Sequence, residues 1–317
     1  MSQVQSIPRR AEVEPLPANI KSTQPGGGRC YSLELAWGRL RRWYLKTLRP
    51  GYVRRMAERR RGSLDGCPIE VLDPRDLKFF KNQCDAHWLA SDDPFRWREA
   101  IPFARWGLCE LLLMGAPLLA GTIALAFTAV WYLAIAPAVF FVLVAWFFRD
   151  PRRRIPAEAG KIVSPADGKL VEVTRLDHHD FIGGPAVRIG ILLTIFNVHI
   201  NRAPCRARVV RLHYSPGKFL NVLDPESVLV NENLWIGLEE DQAPYRRIVC
   251  RQISGLFARR IVCDLRPGQI VERGEKFGMI KLGSRTELIL PAEGLIVTAH
   301  VGQWLNAGCD VIAKYES

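Results

Sequence analysis

The chain has eight cysteines but no C-x-x-C pair, and no His/Cys spacing of the kind that seats a metal. That pattern excludes a zinc ribbon and a dithiol redox motif. Cys109 falls in a hydrophobic stretch, and Cys250 and Cys263 fall in β-like apolar runs, so buried structural thiols in a reducing compartment are expected. No apolar run opens the chain. Met1 to Pro25 is polar and proline-bearing, so no signal peptide is expected there. A signature of a nucleic-acid-binding fold is also missing, which leaves the net charge of +12 to be explained otherwise.

That charge is concentrated. Between Arg29 and Arg61 there are eleven Lys or Arg against Glu34 and Glu58, a surplus of nine, and the rest of the chain is close to balanced. One basic segment facing an acidic surface fits better than a protein wrapping nucleic acid. Trp37, Leu40, Trp43, Tyr44, Leu45 and Leu48 interleave with the arginines at near-helical spacing, as in helices that lie on anionic lipid. A solvated basic arm is the alternative. Residues 1–28 end in Pro25-Gly26-Gly27-Gly28 and read as disordered. Residues 29–100 read as a basic, partly helical, membrane-proximal region, broken near Pro50-Gly51, with Phe79, Phe80, Trp88, Phe95 and Trp97 available for packing.

Charge is nearly absent from Trp106 to Phe148, where Glu110 is the exception. One crossing takes about 20 apolar residues, so the stretch suits a transmembrane helical hairpin within 101–150, out over 107–126 and back over 129–148. Pro117 and Pro137 are tolerable in such helices. Arg96, Arg98 and Arg105 precede it and Arg149, Arg152, Arg153 and Arg154 follow, so both flanks are expected on the cytoplasmic side.

After Pro156 the texture changes to short β-branched runs divided by glycine and proline. Strands are expected at 161–163, 169–173, 187–195, 208–213, 247–253, 259–265, 269–271, 277–281, 287–290 and 295–300. The one helical signal is a short turn near Pro225. This part is mainly β.

Three motifs lie in it. The first is Leu282-Gly283-Ser284, whose Ser284 opens the last 34 residues. A serine hydroxyl can attack the unhindered glycine carbonyl before it, and the ester can eliminate and hydrolyse to a pyruvoyl group on a new N-terminus. Such a carbonyl is an electron sink for amino-acid decarboxylation. Alone, the pair equally suits an ordinary turn. The second motif is Ser164-Pro165-Ala166-Asp167-Gly168-Lys169, also a respectable turn. The third is Asn197-Val198-His199-Ile200-Asn201-Arg202-Ala203-Pro204, at the end of an apolar run. His199 there suits a general acid or base, or a core histidine held by a backbone carbonyl.

Together with Phe277 to Pro291, Asn231-Glu232-Asn233, Arg251 to Gly255 and Ala258 to Ile261, these motifs resemble the short bacterial branch of the phosphatidylserine decarboxylase family over roughly 155–315. The resemblance implies a mainly β catalytic domain (155–317), lipoyl-like or barrel-sandwich in character, behind the hairpin and the basic extension. It implies self-cleavage between Gly283 and Ser284, giving a large chain 1–283 and a small chain 284–317. The cofactor would be a pyruvoyl group derived from Ser284, with no metal. Ser284, His199 and Asp167 would be catalytic, Asp167 orienting the histidine that activates the serine. Arg202 or the arginines of 251–260 could hold a phosphate or carboxylate.

Two departures stand out. Longer-branch members usually have threonine where this chain has Arg285, and they carry two histidines where it keeps only His199, with Asn197 and Arg202 at the other places. The expected reaction is phosphatidylserine to phosphatidylethanolamine plus carbon dioxide, by a carboxy-lyase at the cytoplasmic face of the inner membrane. A homodimer is compatible with this reading, and no nucleic-acid partner is expected. Two alternatives stay open. One is a membrane-anchored lipoyl-like carrier, suggested by the glycine spacing of Pro291 to Val297, Val301-Gly302 and Ala307-Gly308, although Lys281, just before Leu282-Gly283, lacks the setting of a carrier lysine. The other is a pyruvoyl decarboxylase of a soluble amine.

Overall fold

The computed structural model describes residues 10–222, 224, 226–256, 260–281 and 284–316. The chain divides into two compact units. One holds residues up to Ile20, Arg153–Thr194 and Ile200–Ser317, and the other Lys21–Arg152 and Ile195–His199.

The second unit is helical. α1 (Arg29–Leu48) and α2 (Pro50–Arg59) are separated by Arg49, with Pro50 at the first position of α2, where a missing N–H costs nothing. On α1, Leu45 is buried, Tyr31 stacks edge-on against Phe79 at 4.8 Å, and Arg41 and Arg42 both reach the buried Asp76. Its other side leaves Leu33, Trp37, Leu40, Trp43, Tyr44 and Leu48 exposed. α3 (Leu108–Ala126) and α4 (Ile135–Phe147) form a pair, and Phe141 packs on the hydrogen-only face of Gly115. Their outer ends are tied together: Ala104 N donates to Phe148 O and Asp150 N to Pro102 O. Among the described residues, Arg105–Ala126 is the one helix long and apolar enough to cross a membrane, with mean hydropathy 1.9, whereas the apolar helix Trp131–Phe147 is shorter.

The first unit is mainly β, as expected. Its principal sheet has the strand order β13-β2-β3-β11-β7-β6-β5-β9. In chain order these are β2 (Gly168–His179), β3 (Gly184–Leu193), β5 (Ala207–Ser215), β6 (Asn233–Glu240), β7 (Arg247–Ser254), β9 (Ile270–Val271), β11 (Ser284–Pro291) and β13 (Trp304–Leu305). Every pairing in it is antiparallel. β1 (Lys161–Val163), β14 (Val311–Tyr315) and β12 (Leu295–Val297) form a second sheet, and β4 (Ile200–Arg202), β10 (Lys276–Lys281) and β8 (Arg260–Cys263) a third. Alternate residues fill one core: Ile189 and Ile191, Leu234 and Ile236, Ile248 and Cys250, Leu288 and Leu290. Each fully buried Ile or Leu contributes about 1.5–3 kcal/mol. Strands β4, β6, β13 and β14 go beyond those expected from sequence.

The disorder expected for 1–28 is corrected for residues 10–28; the first nine lie outside the described residues. Glu14 N donates to Val210 O, Ile20 is in the core, and Thr23 N donates to Phe79 O. Anchors far along the chain supply the order that local composition does not. Pro225 lies outside the described residues, and a single helical turn, α5 (Ser227–Val230), follows it.

Candidate active site

β11 lies between β3 and β7, so both its edges are paired and its side chains alternate between two distinct faces. Ser284, Thr286, Leu288 and Leu290 take the core side, where Leu288 and Leu290 join the main cluster. Ser284 stands opposite Leu193 on one neighbour and Ser254 on the other. It is 0% exposed, and its Oγ has no hydrogen-bond partner among the described residues. A hydroxyl left dry and unbonded costs about 1–3 kcal/mol, so its place needs a reason beyond packing. Leu282 and Gly283, the proposed cleavage partner, lie outside the described residues.

Around Ser284 the core side is polar. Asn201 Nδ2 donates to Thr286 Oγ1 at 3.1 Å and to Pro165 O at 3.3 Å, and Gln252 Nε2 donates to Asn201 Oδ1 at 2.8 Å. Asn201 and Gln252, neither singled out from sequence, are both 0% exposed. The motif Asn197 to Pro204 could have pointed to Asn201, since a buried amide at a strand start rarely lacks a task.

The outer side of the same strand is ionic. Arg285 pairs with Glu172 and, at 2.9 Å, with Glu287, whose other oxygen lies 3.5 Å from Arg251. Arg188 also holds Glu172, at 2.6 Å. Burial works against ionisation of Glu172, but hydrogen bonds from Arg285, Thr174 and Arg188 outweigh it and hold its carboxyl down at about 2. A Cβ on Gly190 would fall 2.6 Å from Arg285 Nη2, so glycine leaves the guanidinium its path.

Asp167 is buried, and its carboxylate is engaged. Arg153 Nη2 donates to both oxygens at 2.9 and 2.7 Å, and Ala307 N donates to Oδ1 at 2.7 Å. The turn carrying it depends on Gly168, whose φ is +151° and whose added Cβ would meet Leu192 O at 2.3 Å. Arg202 is also buried and gives Nη1 to Gly274 O at 2.9 Å. Arg251 serves Asn233 Oδ1 and Val228 O as well as Glu287. Arg259 lies outside the described residues.

His199 closes the segment Ile195–His199, which belongs with the helical unit. It is fully buried, its ring 4.4 Å from that of Phe147 at the end of α4. The same helix end holds the segment through Trp146 Nε1 and Arg149 Nη2, which both donate to Phe196 O. His199 Nδ1 lies 2.9 Å from Asn197 O, and since a carbonyl only accepts, Nδ1 carries the hydrogen. Nε2 is therefore an acceptor in the neutral ring, and it is buried without a partner among the described residues. Burial, helped by Arg149, pushes the His199 pKa down to about 4 against the Asn197 hydrogen bond. The next residue, Ile200, opens β4 and pairs with Met279 of β10, the strand that leads toward Ser284.

Lys281 is buried at the end of β10, which does not suit a carrier needing an exposed lysine at a hairpin tip.

With this geometry in place, the comparisons decide the family. The phosphatidylserine decarboxylase family model matches residues 140–313. A phosphatidylserine decarboxylase proenzyme of Rhodopirellula baltica is 50% identical over 244 residues, 76% of this chain and 99% of that protein. The chain belongs to the phosphatidylserine decarboxylase family. Proteins of the same name from Carboxydothermus hydrogenoformans and Syntrophus aciditrophicus are 37% identical over 217 residues and 38% over 218, spanning 98% and 95% of their own lengths. Membership makes this chain a decarboxylase, and the resemblance read from the motifs holds.

Proposed function

We infer that this chain is made as a proenzyme that cuts itself before Ser284 and then decarboxylates phosphatidylserine to phosphatidylethanolamine. The observation that carries this reading is the buried Ser284 Oγ, without a hydrogen-bond partner among the described residues, on the core side of a doubly paired strand in a chain of this family. An isolated hydroxyl next to a backbone carbonyl keeps its lone pairs for attack, and a dry pocket protects the resulting ester from premature hydrolysis.

His199 is the base for that attack. Its neutral ring keeps Nε2 as an acceptor, as a base requires, and its fixed Nδ1 hydrogen sets the tautomer. Asp167 is a positioning residue, holding Arg153 and the Ala307 amide so that its turn stays closed. After cleavage, the pyruvoyl group made from Ser284 supplies the carbonyl that accepts electrons when carbon dioxide leaves. Its surroundings fit such a group, because a keto oxygen replaces a hydroxyl that lacks a partner among the described residues. The ladders to β3 and β7 keep the small chain seated once the backbone is cut.

The lipid setting is supported by α3, which is long enough to span, and by α4, whose outer end is tied back to the start of α3. With Arg98 and Arg105 before the pair and Arg149, Arg152, Arg153 and Arg154 after it, both ends take the cytoplasmic side of an inner membrane. The exposed Leu33, Trp37, Leu40 and Tyr44 of α1 suit burial at the headgroup level of the same membrane. Arg202, whose Nη1 is engaged with Gly274 O, is the proposed headgroup contact.

The test is carbon dioxide release by purified protein in detergent from phosphatidylserine and, separately, from free serine. Release from the lipid and not from the amino acid is expected. Equal rates would favour a soluble amine.

A further inference from the structure

Three polar side-chain atoms on the core side of neighbouring strands lack hydrogen-bond partners among the described residues: Ser284 Oγ, Gln252 Oε1 and Glu232 Oε2. Ser284 is the cleavage site and Gln252 belongs to the amide network. Glu232 has no task in the chemistry described so far.

Glu232 lies just before β6. The alternation 232, 234, 236, 238 that sends Leu234, Ile236 and Leu238 into the core puts its side chain on that face too. It is 2% exposed. The asparagines on either side of it are used up by structure: Asn231 binds Leu220 and Ser254 O, and Asn233 binds Asn231 O and Arg251. Ser254 N and Oγ both donate to Glu232 O, at 2.9 and 3.0 Å. Ser254 in turn stands opposite Ser284. Glu232, Ser254 and Ser284 thus form a row across adjacent strands. At about 4.8 Å per strand, the Cα atoms of Glu232 and Ser284 are roughly 10 Å apart, with Ser254 between them.

The carboxyl is set up to hold a proton. Oε1 accepts from the Tyr214 hydroxyl at 2.8 Å, which leaves Oε2 to carry hydrogen. Burial raises the Glu232 pKa, with Tyr214 on β5 and Arg260 on β8 working against it. His199 is unsuited to deliver a proton at neutral pH, because its ring stays neutral there and its free nitrogen is an acceptor.

We propose that Glu232 is the acid that completes turnover, giving its Oε2 proton to the substrate carbon from which carbon dioxide has left. The bond from that carbon to the carboxylate breaks and the electron pair stays on the carbon. The Glu232 O–H bond then breaks as the new C–H bond forms, and water entering as product leaves restores the acid. The proposal rests on the reading of Ser284 given above.

Glu232→Gln tests it, read by intact mass and by carbon dioxide release. Self-cleavage is expected at the wild-type extent, with decarboxylation slower by about 10²–10⁴-fold, the range of one acid–base group. A second readout does not depend on rate. When the electron pair is protonated at the wrong carbon, the substrate nitrogen stays on the chain and an aldehyde leaves after hydrolysis. The small chain then begins with alanine in place of the keto-acyl group, and its mass shows this accumulating with turnover. A cleaved Glu232→Gln protein within about threefold of the wild-type rate, without alanine, overturns the proposal. So does a folded variant that no longer cleaves.

Should Glu232→Gln fail to fold, Tyr214→Phe decides. Losing the hydroxyl removes a bond to the ionised carboxylate, so the alkaline limb of the rate profile moves to higher pH, and an unmoved limb contradicts the proposal. An active wild-type chain that stays uncut refutes the Ser284 reading instead, so the two failures are separable.

Discussion

Arg285 follows Ser284 directly in the chain, yet its guanidinium lies on the opposite side of the sheet, between Glu172 and Glu287. One strand thus exposes a reactive hydroxyl to the core while its next residue is locked by two carboxylates. A slip of one residue would exchange the two faces, so the ionic lock also fixes the register of the serine.

Replacing Arg285 by threonine, the longer-branch residue, leaves Glu287 buried beside Glu172 with Arg251 and Arg188 as the remaining cations. Breaking a buried pair from one side costs about 3–5 kcal/mol. Denaturant titration of Arg285→Thr, made alongside Ser284→Ala so that cleavage does not interfere, should show a loss of that order. A loss below about 1 kcal/mol, the surface-pair range, would mean the pair contributes little.

Acid stability follows from Glu172. Its carboxyl is held down at about 2 in the folded chain and returns to its ordinary value on unfolding. The unfolded state therefore binds more protons between those two values, so this contribution is complete above about pH 4.5 and is lost as pH falls toward 2. Glu172→Gln should flatten that part of the stability profile, measured by thermal melts from pH 5 to pH 2.5.

His199 shifts the other kind of group in the same direction. With its pKa at about 4, the folded ring is neutral where a free histidine is half protonated, so stability falls as pH drops from about 6.5 through 4. Ring proton resonances of His199 should stay flat from pH 8 to pH 5. A midpoint near 6.5 would show a solvated ring. His199→Ala should slow cleavage by about 10²–10⁴-fold if the ring is the base.

Leu119 is 42% exposed near the middle of α3. In lipid, Leu119→Arg costs about 2.5–3.5 kcal/mol, whereas on a water-facing helix the change is close to neutral. Carbonate-washed membranes should retain the wild-type protein and lose part of the variant. Equal retention of both contradicts the spanning reading of α3.

Much of this was legible in the sequence because it is local. Ser284, Asp167 and His199 announce themselves by their neighbours, and most strands by β-branched runs between glycine and proline. β6 is not legible because its sequence holds a single β-branched residue, Ile236, and ends in two glutamates whose partners are remote: Arg208 on β5 holds Glu239 and Arg246 holds Glu240. The surroundings of the site residues are likewise non-local. Asp167 is held by Arg153, which reads as a membrane-flanking charge, and His199 is covered by Phe147, which reads as membrane helix. Tertiary pairing, absent from any short window, assigns those two side chains their second use.

The most direct measurement of the central claim is the intact mass of the purified wild-type chain beside Ser284→Ala. The account predicts two wild-type fragments meeting between residues 283 and 284, the smaller of 34 residues with a keto group in place of an amine at its start, and a single uncut Ser284→Ala chain. A wild-type protein that remains one piece and still releases carbon dioxide from phosphatidylserine would contradict it.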